Sequence, residues 1–246
     1  MVRYERKYLV PYELLDRLRN RVNGFVRPDI YTNGNGNKLP QYTVRSIYFD
    51  SRQMECHSEK LEGVELRKKF RIRTYNQAEP DSVAVFEIKK KIANRIYKHR
   101  AFAWWKDVPA LLATSDIEQY IHQKQEECSS LDEASRFFFH LKKRNMQPTV
   151  LVVYEREAYH GLLDDGVRIT YDKNIRSMIY PDMQMMFTNH GLKHLFEKHF
   201  ILEIKYFTEK MPIWAKSIVD EFKLRHEAIS KYTTGFDVHQ RQTVTY

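Results

Sequence analysis

Along most of this chain apolar residues alternate with polar ones, the period of a strand with one covered face. The segments "YTVRSIYFDS", "VELRKKFRIRTYN", "SVAVFEIKKK", "RIYKHRAFAWW", "PTVLVVYEREAYHG", "DGVRITYDKNIRSMIY" and "FILEIKYF" all read this way and are rich in β-branched and aromatic residues. Polar breaks between the middle strands suggest an antiparallel meander. Elsewhere the period becomes helical. "PYELLDRLRNRVNGF" carries Leu14, Leu15, Leu18 and Val22 on one stripe after a Pro-initiated turn, whereas "YTNGNGNKLPQ" reads as a loop. Between about residues 108 and 146, "ALLATSDIEQYIHQKQEE" and "SLDEASRFFFHLKKR" predict a helical insertion, the second opening on Ser130 with Glu133 three residues on. "PIWAKSIVDEFKLRHEAISKY" predicts one helix begun by Pro212 and carrying Trp214, Ile218, Val219 and Phe222. The last ten residues, about 237–246, read as a flexible tail.

Residues two apart on a strand share a face. That rule pairs Arg71 with Arg73, Glu87 with Lys89, Lys98 with Arg100, Tyr154 with Arg156, Arg168 with Thr170 and Glu203 with Lys205. The opposite faces hold Phe70, Ile72, Phe86, Ile88, Val153, Val167, Ile169, Leu202 and Ile204. Solvated faces of an ordinary antiparallel sheet are one explanation. Solvation, however, requires neither that Arg and Lys dominate nor that two strands repeat a Glu-Ile-Lys unit.

Composition sharpens the choice. The 246 residues contain 41 Lys and Arg against 32 Asp and Glu, a net charge of +9 that calls for an anionic partner. Length suits one large domain, taken as 1–246. Cys56 and Cys128 fit no disulfide framework or zinc spacing, and His190, His194 and His199 match no zinc signature. The N-terminus lacks the apolar stretch of a signal peptide, and no window is apolar for long enough to span a bilayer, so a soluble, cytoplasmic protein is expected.

These features predict an α+β fold built on a closed antiparallel β-barrel, with a charged lumen inside and helices packed outside. Converging cations in a lumen need an anion, because buried charge without compensation is costly. Chained phosphates suit the residues available, since Arg binds them with a planar fork and Lys as a point charge. Duplex nucleic acid would instead need an exposed basic face.

The segments "ERKYLV", "SIYFDS", "KFRIRTY", "FEIKKK", "VVYEREAY", "VRITYD", "ILEIKY" and "ISKY" together resemble the catalytic domain of the vacuolar transporter chaperone (VTC) family, polyphosphate polymerases of the triphosphate tunnel (CYTH-like) superfamily. The resemblance runs in order over nearly the whole chain. It implies that Lys7, Arg71, Arg73, Lys89, Tyr154, Arg156, Arg168 and Lys205 hold phosphate and that Glu203 binds metal. Lys60, Lys98, Ser230 and Lys231 match further phosphate-binding positions. Where tunnel hydrolases of the superfamily resemble an E-x-E-x-K pattern, this chain reads Arg3, Glu5, Lys7, and the exchange of one carboxylate for a base resembles the polymerase branch.

The resemblance implies transfer of the γ-phosphoryl group of ATP to phosphate or a growing polyphosphate chain, with Mn²⁺ or Mg²⁺ on Glu203 and Arg71, Arg73 and Lys205 near the reacting group. A tunnel triphosphatase and a noncatalytic polyphosphate binder remain alternatives. A separate membrane protein is expected as product acceptor, nucleic acid is not expected as a partner, and the sequence does not fix an oligomeric state.

Overall fold

The computed structural model describes residues 4–30, 39–93, 95–122, 129–164 and 166–240. Its strands are β1 (Tyr4–Pro11), β2 (Val26–Pro28), β3 (Gln41–Asp50), β4 (Leu66–Tyr75), β5 (Val83–Ile92), β6 (Arg95–Trp104), β7 (Gln147–Gly161), β8 (Arg168–Ile179), β9 (Lys193–His194) and β10 (His199–Tyr206). The helices are α1 (Leu15–Asn23), α2 (Glu55–Leu61), α3 (Val108–Thr114), α4 (Ile117–Tyr120), α5 (Ser129–Lys143), α6 (Ile213–Glu221) and α7 (Lys231–Gln240). This is a mixed α+β fold. Arg3, Cys128, most of the Asn- and Gly-rich loop and residues 241–246 lie outside the described residues.

The chain divides into two compact units. The first comprises Met1–Thr43, Tyr154–Arg176 and His194–Ser230. Its strand order is β1, β10, β8, β7, with the short β2 also on β7. One face of this sheet carries Tyr8, Val10, Tyr159, Val167, Ile169, Tyr171, Phe200, Leu202, Ile204 and Tyr206. Leu18 and Val22 of α1 and Ile218 of α6 cover it, which is why those helices need the apolar stripes seen in their sequences.

The second unit comprises Val44–Val153, Ser177–Lys193 and Lys231–Tyr246. Its order is β7, β3, β4, β5, β6, an antiparallel arrangement in which β4, β5 and β6 form the expected meander. Phe70, Ile72, Phe86 and Ile88 lie on one face. There Phe137 of α5 meets Phe70 and Phe86 at ring-centroid distances of 6.2 and 5.4 Å. Burying each such ring contributes about 1.5–3 kcal/mol, enough to hold α5 on the meander.

Three expectations are corrected. The strand path ends at β1 and β6, and among the described residues no pairing joins them, so the hydrogen bonds do not show the expected closed barrel or its charged lumen. The helix expected over 212–232 is two helices, α6 and α7. Lys223, at a positive φ of 51°, turns the chain out of helical geometry after α6. Residues beyond it instead pair with β1, through the bridge Tyr8–His226 and the bond from Glu227 N–H to the Lys7 carbonyl. Finally, residues 237–240, read as the start of a tail, complete α7.

Candidate functional site

In the second unit, the face of β4, β5 and β6 opposite the Phe137 cluster carries the charge. Register places Arg67 opposite Lys91, and Lys69, Lys89 and Lys98 in one row across three strands. The next row is Arg71, Glu87, Arg100, and Arg73 follows opposite Val85. Eight cations therefore share this strand face with one carboxylate, Glu87. Like charges directly opposite one another on neighbouring strands destabilise a sheet by up to about 1 kcal/mol per pair. The lysine row sets three like charges side by side across the strands.

Glu87 organises the arginines. Its Oε1 accepts from Arg71 Nη2 and its Oε2 from Arg100 Nε at 2.9 Å. Burial pushes its carboxyl upward, but Arg71, Arg73, Arg100 and Lys98 outweigh burial and hold it well below the usual carboxylate range. Neighbouring β3 adds two groups, since Arg73 Nε donates to Ser46 Oγ at 3.0 Å and Arg71 Nη1 to the Tyr48 hydroxyl at 3.1 Å. The Tyr48 ring stacks on Tyr232 of α7, with centroids 5.2 Å apart. Tyr232 donates its hydroxyl proton to Asp50, a buried carboxylate that also accepts from the backbone N–H groups of Ser51, Cys56 and His57. Lys69 Nζ lies 5.8 Å from the Tyr232 ring centroid, a cation–π distance. Burial raises the Tyr48 hydroxyl, yet Arg71, Arg73 and Lys231 bring it below its ordinary value, so the potential around this hydroxyl is strongly positive.

The first unit gathers the other predicted residues on a face that is nearly neutral. Lys7 stands opposite Glu203, Glu5 opposite Lys205, Thr170 opposite Glu203 and Arg168 opposite Lys205. Arg156 makes a bidentate pair with Asp172 at 2.6 and 2.7 Å and approaches Glu203 to 3.6 Å. Its guanidinium carbon sits 5.2 Å from the Tyr154 ring centroid. Arg168 Nη2 donates to Asp29 at 2.7 Å and to the Tyr42 hydroxyl at 3.1 Å. Lys205 bonds Glu203, and burial lowers its ammonium to about 8 despite the opposing pull of Glu203 and Glu5.

The predicted residues therefore fall into two sets. Arg71, Arg73, Lys89 and Lys98 share the β4–β6 face, while Lys7, Tyr154, Arg156, Arg168, Glu203 and Lys205 share the face of β1, β10, β8 and β7. Lys60 lies part-buried on α2, and Ser230 and Lys231 stand at the start of α7. Sequence reasoning passed over Ser46, Tyr48, Lys69 and Asp172. The same two-residue period would have found the first three in "VRSIYFD" and "KKFRIR", and the last in "RITYD".

The VTC domain family model matches residues 2–239, nearly the whole chain. The chain belongs to the VTC domain family. No curated protein matches this VTC domain. Among solved structures, it is similar to the PH1819 protein from Pyrococcus horikoshii OT3, with 13% identity, a TM-score of 0.48 and coverage of 96% of this chain and 99% of that one. It is also similar to a chain of the Schizosaccharomyces pombe Mediator head module, with 7% identity, a TM-score of 0.45 and coverage of 91% and 92%. Neither likeness bears on function. Family membership connects the domain to polyphosphate. Among its described residues no helix is long and apolar enough to cross a membrane.

The metal expected on Glu203 meets a mixed donor set. Among the described residues no group of three or more His, Cys, Asp or Glu side chains is placed to hold an ion. Glu203 and Glu5 nevertheless share the cation Lys7, and Thr170, which faces Glu203, has a buried Oγ1 without a hydrogen-bond partner. These are hard oxygen donors. Such donors suit Mn²⁺ or Mg²⁺ in general, but here the carboxylates already face the cations Lys7, Lys205 and Arg156.

Proposed function

We propose that this VTC domain is a polyphosphate polymerase of the CYTH-like superfamily that transfers the γ-phosphoryl group of ATP to phosphate or to the end of a polyphosphate chain. The observation that carries this reading is the β4–β6 face, where eight cations surround one carboxylate and three lysines stand in a single cross-strand row. A sheet that sets like charges opposite one another is built for a partner with the opposite charge repeated at short intervals. Polyphosphate has that property, and ATP carries its first three units.

Phosphoryl transfer passes through a loose transition state, so positioning and charge neutralisation supply most of the catalysis. Arg71, Arg73, Lys89 and Lys98 would hold phosphate oxygens on the open β4–β6 face. Glu87 fixes the guanidinium of Arg71 from one side and Tyr48 from the other, which limits its reorganisation when charge develops. Lys7, Tyr154, Arg156, Arg168 and Lys205 are the phosphate contacts assigned to the other face, with Lys60, Ser230 and Lys231 as further contacts. A divalent ion on Glu203 would supply Lewis-acid stabilisation of phosphate oxygens. Use of ATP implies a cytoplasmic site, and the product would pass to a separate membrane protein.

Incubation with γ-labelled ATP, Mn²⁺ and a short polyphosphate primer, followed by gel resolution, tests this reading. A ladder of labelled, lengthening chains is expected. Label confined to free phosphate would make the protein a triphosphatase instead, and intact ATP with tight polyphosphate binding would make it a binder.

A further inference from the structure

Tyr48 stands directly opposite Arg71 of the neighbouring strand, in the row that continues to Glu87 and Arg100. Its hydroxyl oxygen accepts from Arg71 Nη1 at 3.1 Å, and among the described residues its proton is donated to no group. The charges that act on it most strongly are Arg71, Arg73 and Lys231, cations that donate and cannot accept. The carboxylates that share this face, Glu87 on β5 and Asp50 two residues along β3, are already used. Glu87 takes Arg71 on one oxygen and Arg100 on the other, and Asp50 takes three backbone N–H groups and the Tyr232 hydroxyl. Tyr48 is only 7% exposed, so leaving its proton without an acceptor is costly.

We infer that Tyr48 is a further substrate-binding residue, its hydroxyl donating to a phosphate oxygen held at Arg71. A hydroxyl that accepts from a guanidinium is polarised and donates more strongly. A bond to an ionised phosphate is in turn roughly twice as strong as one between neutral groups. Burial raises the Tyr48 hydroxyl, but the three cations bring it below its ordinary value, which agrees with a strong donor. Direction comes from α7, where the Tyr232 ring stacks on Tyr48 and is itself tied to Asp50. Lysines hold an anion as mobile point charges, whereas a phenol fixed in this way requires an acceptor oxygen at one place. The inference rests on the reading of this face as a phosphate site but not on turnover.

Calorimetric titration with tripolyphosphate tests it. Tyr48→Phe keeps the ring and its stack on Tyr232, and it is expected to bind tripolyphosphate about tenfold more weakly than the wild type. A hydroxyl that merely positions Arg71 would give the same loss, so the exchange is repeated on Arg71→Met. There Tyr48→Phe is expected to cost a further factor of about five, somewhat less because neighbouring groups couple. A loss seen only when Arg71 is present overturns the direct contact. Circular dichroism checks each fold, and Arg71→Lys replaces Arg71→Met if the latter does not fold or bind. Equal affinity of wild type and Tyr48→Phe, as when the proton goes to water throughout, removes this inference alone. A wild type that does not bind tripolyphosphate overturns it together with the phosphate reading of the face.

Discussion

The tripeptide Glu-Ile-Lys occurs in β5 at residues 87–89 and in β10 at residues 203–205, and the two copies do opposite things. In β5 the glutamate is held by arginines from both flanking strands, and the lysine joins a row of lysines on a face with a large excess of positive charge. In β10 the glutamate is bonded by its own lysine, with Lys7 and Arg156 close by and Asp172, Asp29 and Glu5 matching the remaining cations. The difference lies in what the neighbouring strands contribute. One copy builds a face with a large excess of cations, and the other builds a network in which cations and carboxylates balance.

Stability separates the two most sharply. Arg156→Met removes the bidentate partner of fully buried Asp172 and is expected to cost about 3–5 kcal/mol in urea unfolding. Arg100→Met removes a side chain that is 46% exposed and should cost less than about 1 kcal/mol, screening included. Equal losses would break the comparison. The same exchange in the two glutamates sharpens it. Glu87→Gln should destabilise the fold by about 1–3 kcal/mol at neutral pH. The folded carboxyl titrates below its unfolded value of 4.5, so this contribution is complete above that pH and disappears as pH falls through the folded value; unfolding measured from pH 7 downward should show the gap between wild type and variant closing. Glu203→Gln should keep the fold and lose metal-dependent turnover, and unchanged activity at saturating Mn²⁺ would remove Glu203 from the metal site.

Lys89→Gln gives the smallest effects, with signs that only the excess-charge reading predicts. Removing the middle lysine of the row should stabilise the free protein by about 0.2–1 kcal/mol. It should also weaken tripolyphosphate binding about tenfold in calorimetry, as expected for loss of one charge-assisted contact. A stability loss together with unchanged affinity would mean that the row is an ordinary solvated face.

Much of this was legible in the sequence because strand alternation is strict. Phe70, Ile72, Phe86 and Ile88 against Arg71, Arg73, Glu87 and Lys89 can be sorted by parity alone, and the structure sorts them the same way. Closure was not legible, because parity assigns residues to faces but says nothing about whether the last strand pairs with the first. The break between α6 and α7 was hidden for a different reason. "FKLRHEAIS" has a tolerable helical pattern, and only the chance to pair with the edge of β1, a contact more than 200 residues away, turns it into an extended segment. Asp29, the partner of Arg168, had no local signal, since it comes from a loop with no strand period to place it. Asp50 was passed over because its partners lie mainly in the backbone of α2 and in Tyr232, 182 residues further along the chain.

The lysine row also has a mechanical meaning. Neighbouring strands are about 4.8 Å apart, so Lys69, Lys89 and Lys98 form a ladder that crosses the strands with a nearly constant rung spacing. A linear polyanion lying along that ladder meets the same chemical group at each rung. Advancing such a chain by one rung would exchange each ammonium contact for another of the same kind, which would leave no deep trap along the row. On the polymerase reading, such a row would retain a chain by total charge while leaving it able to slide.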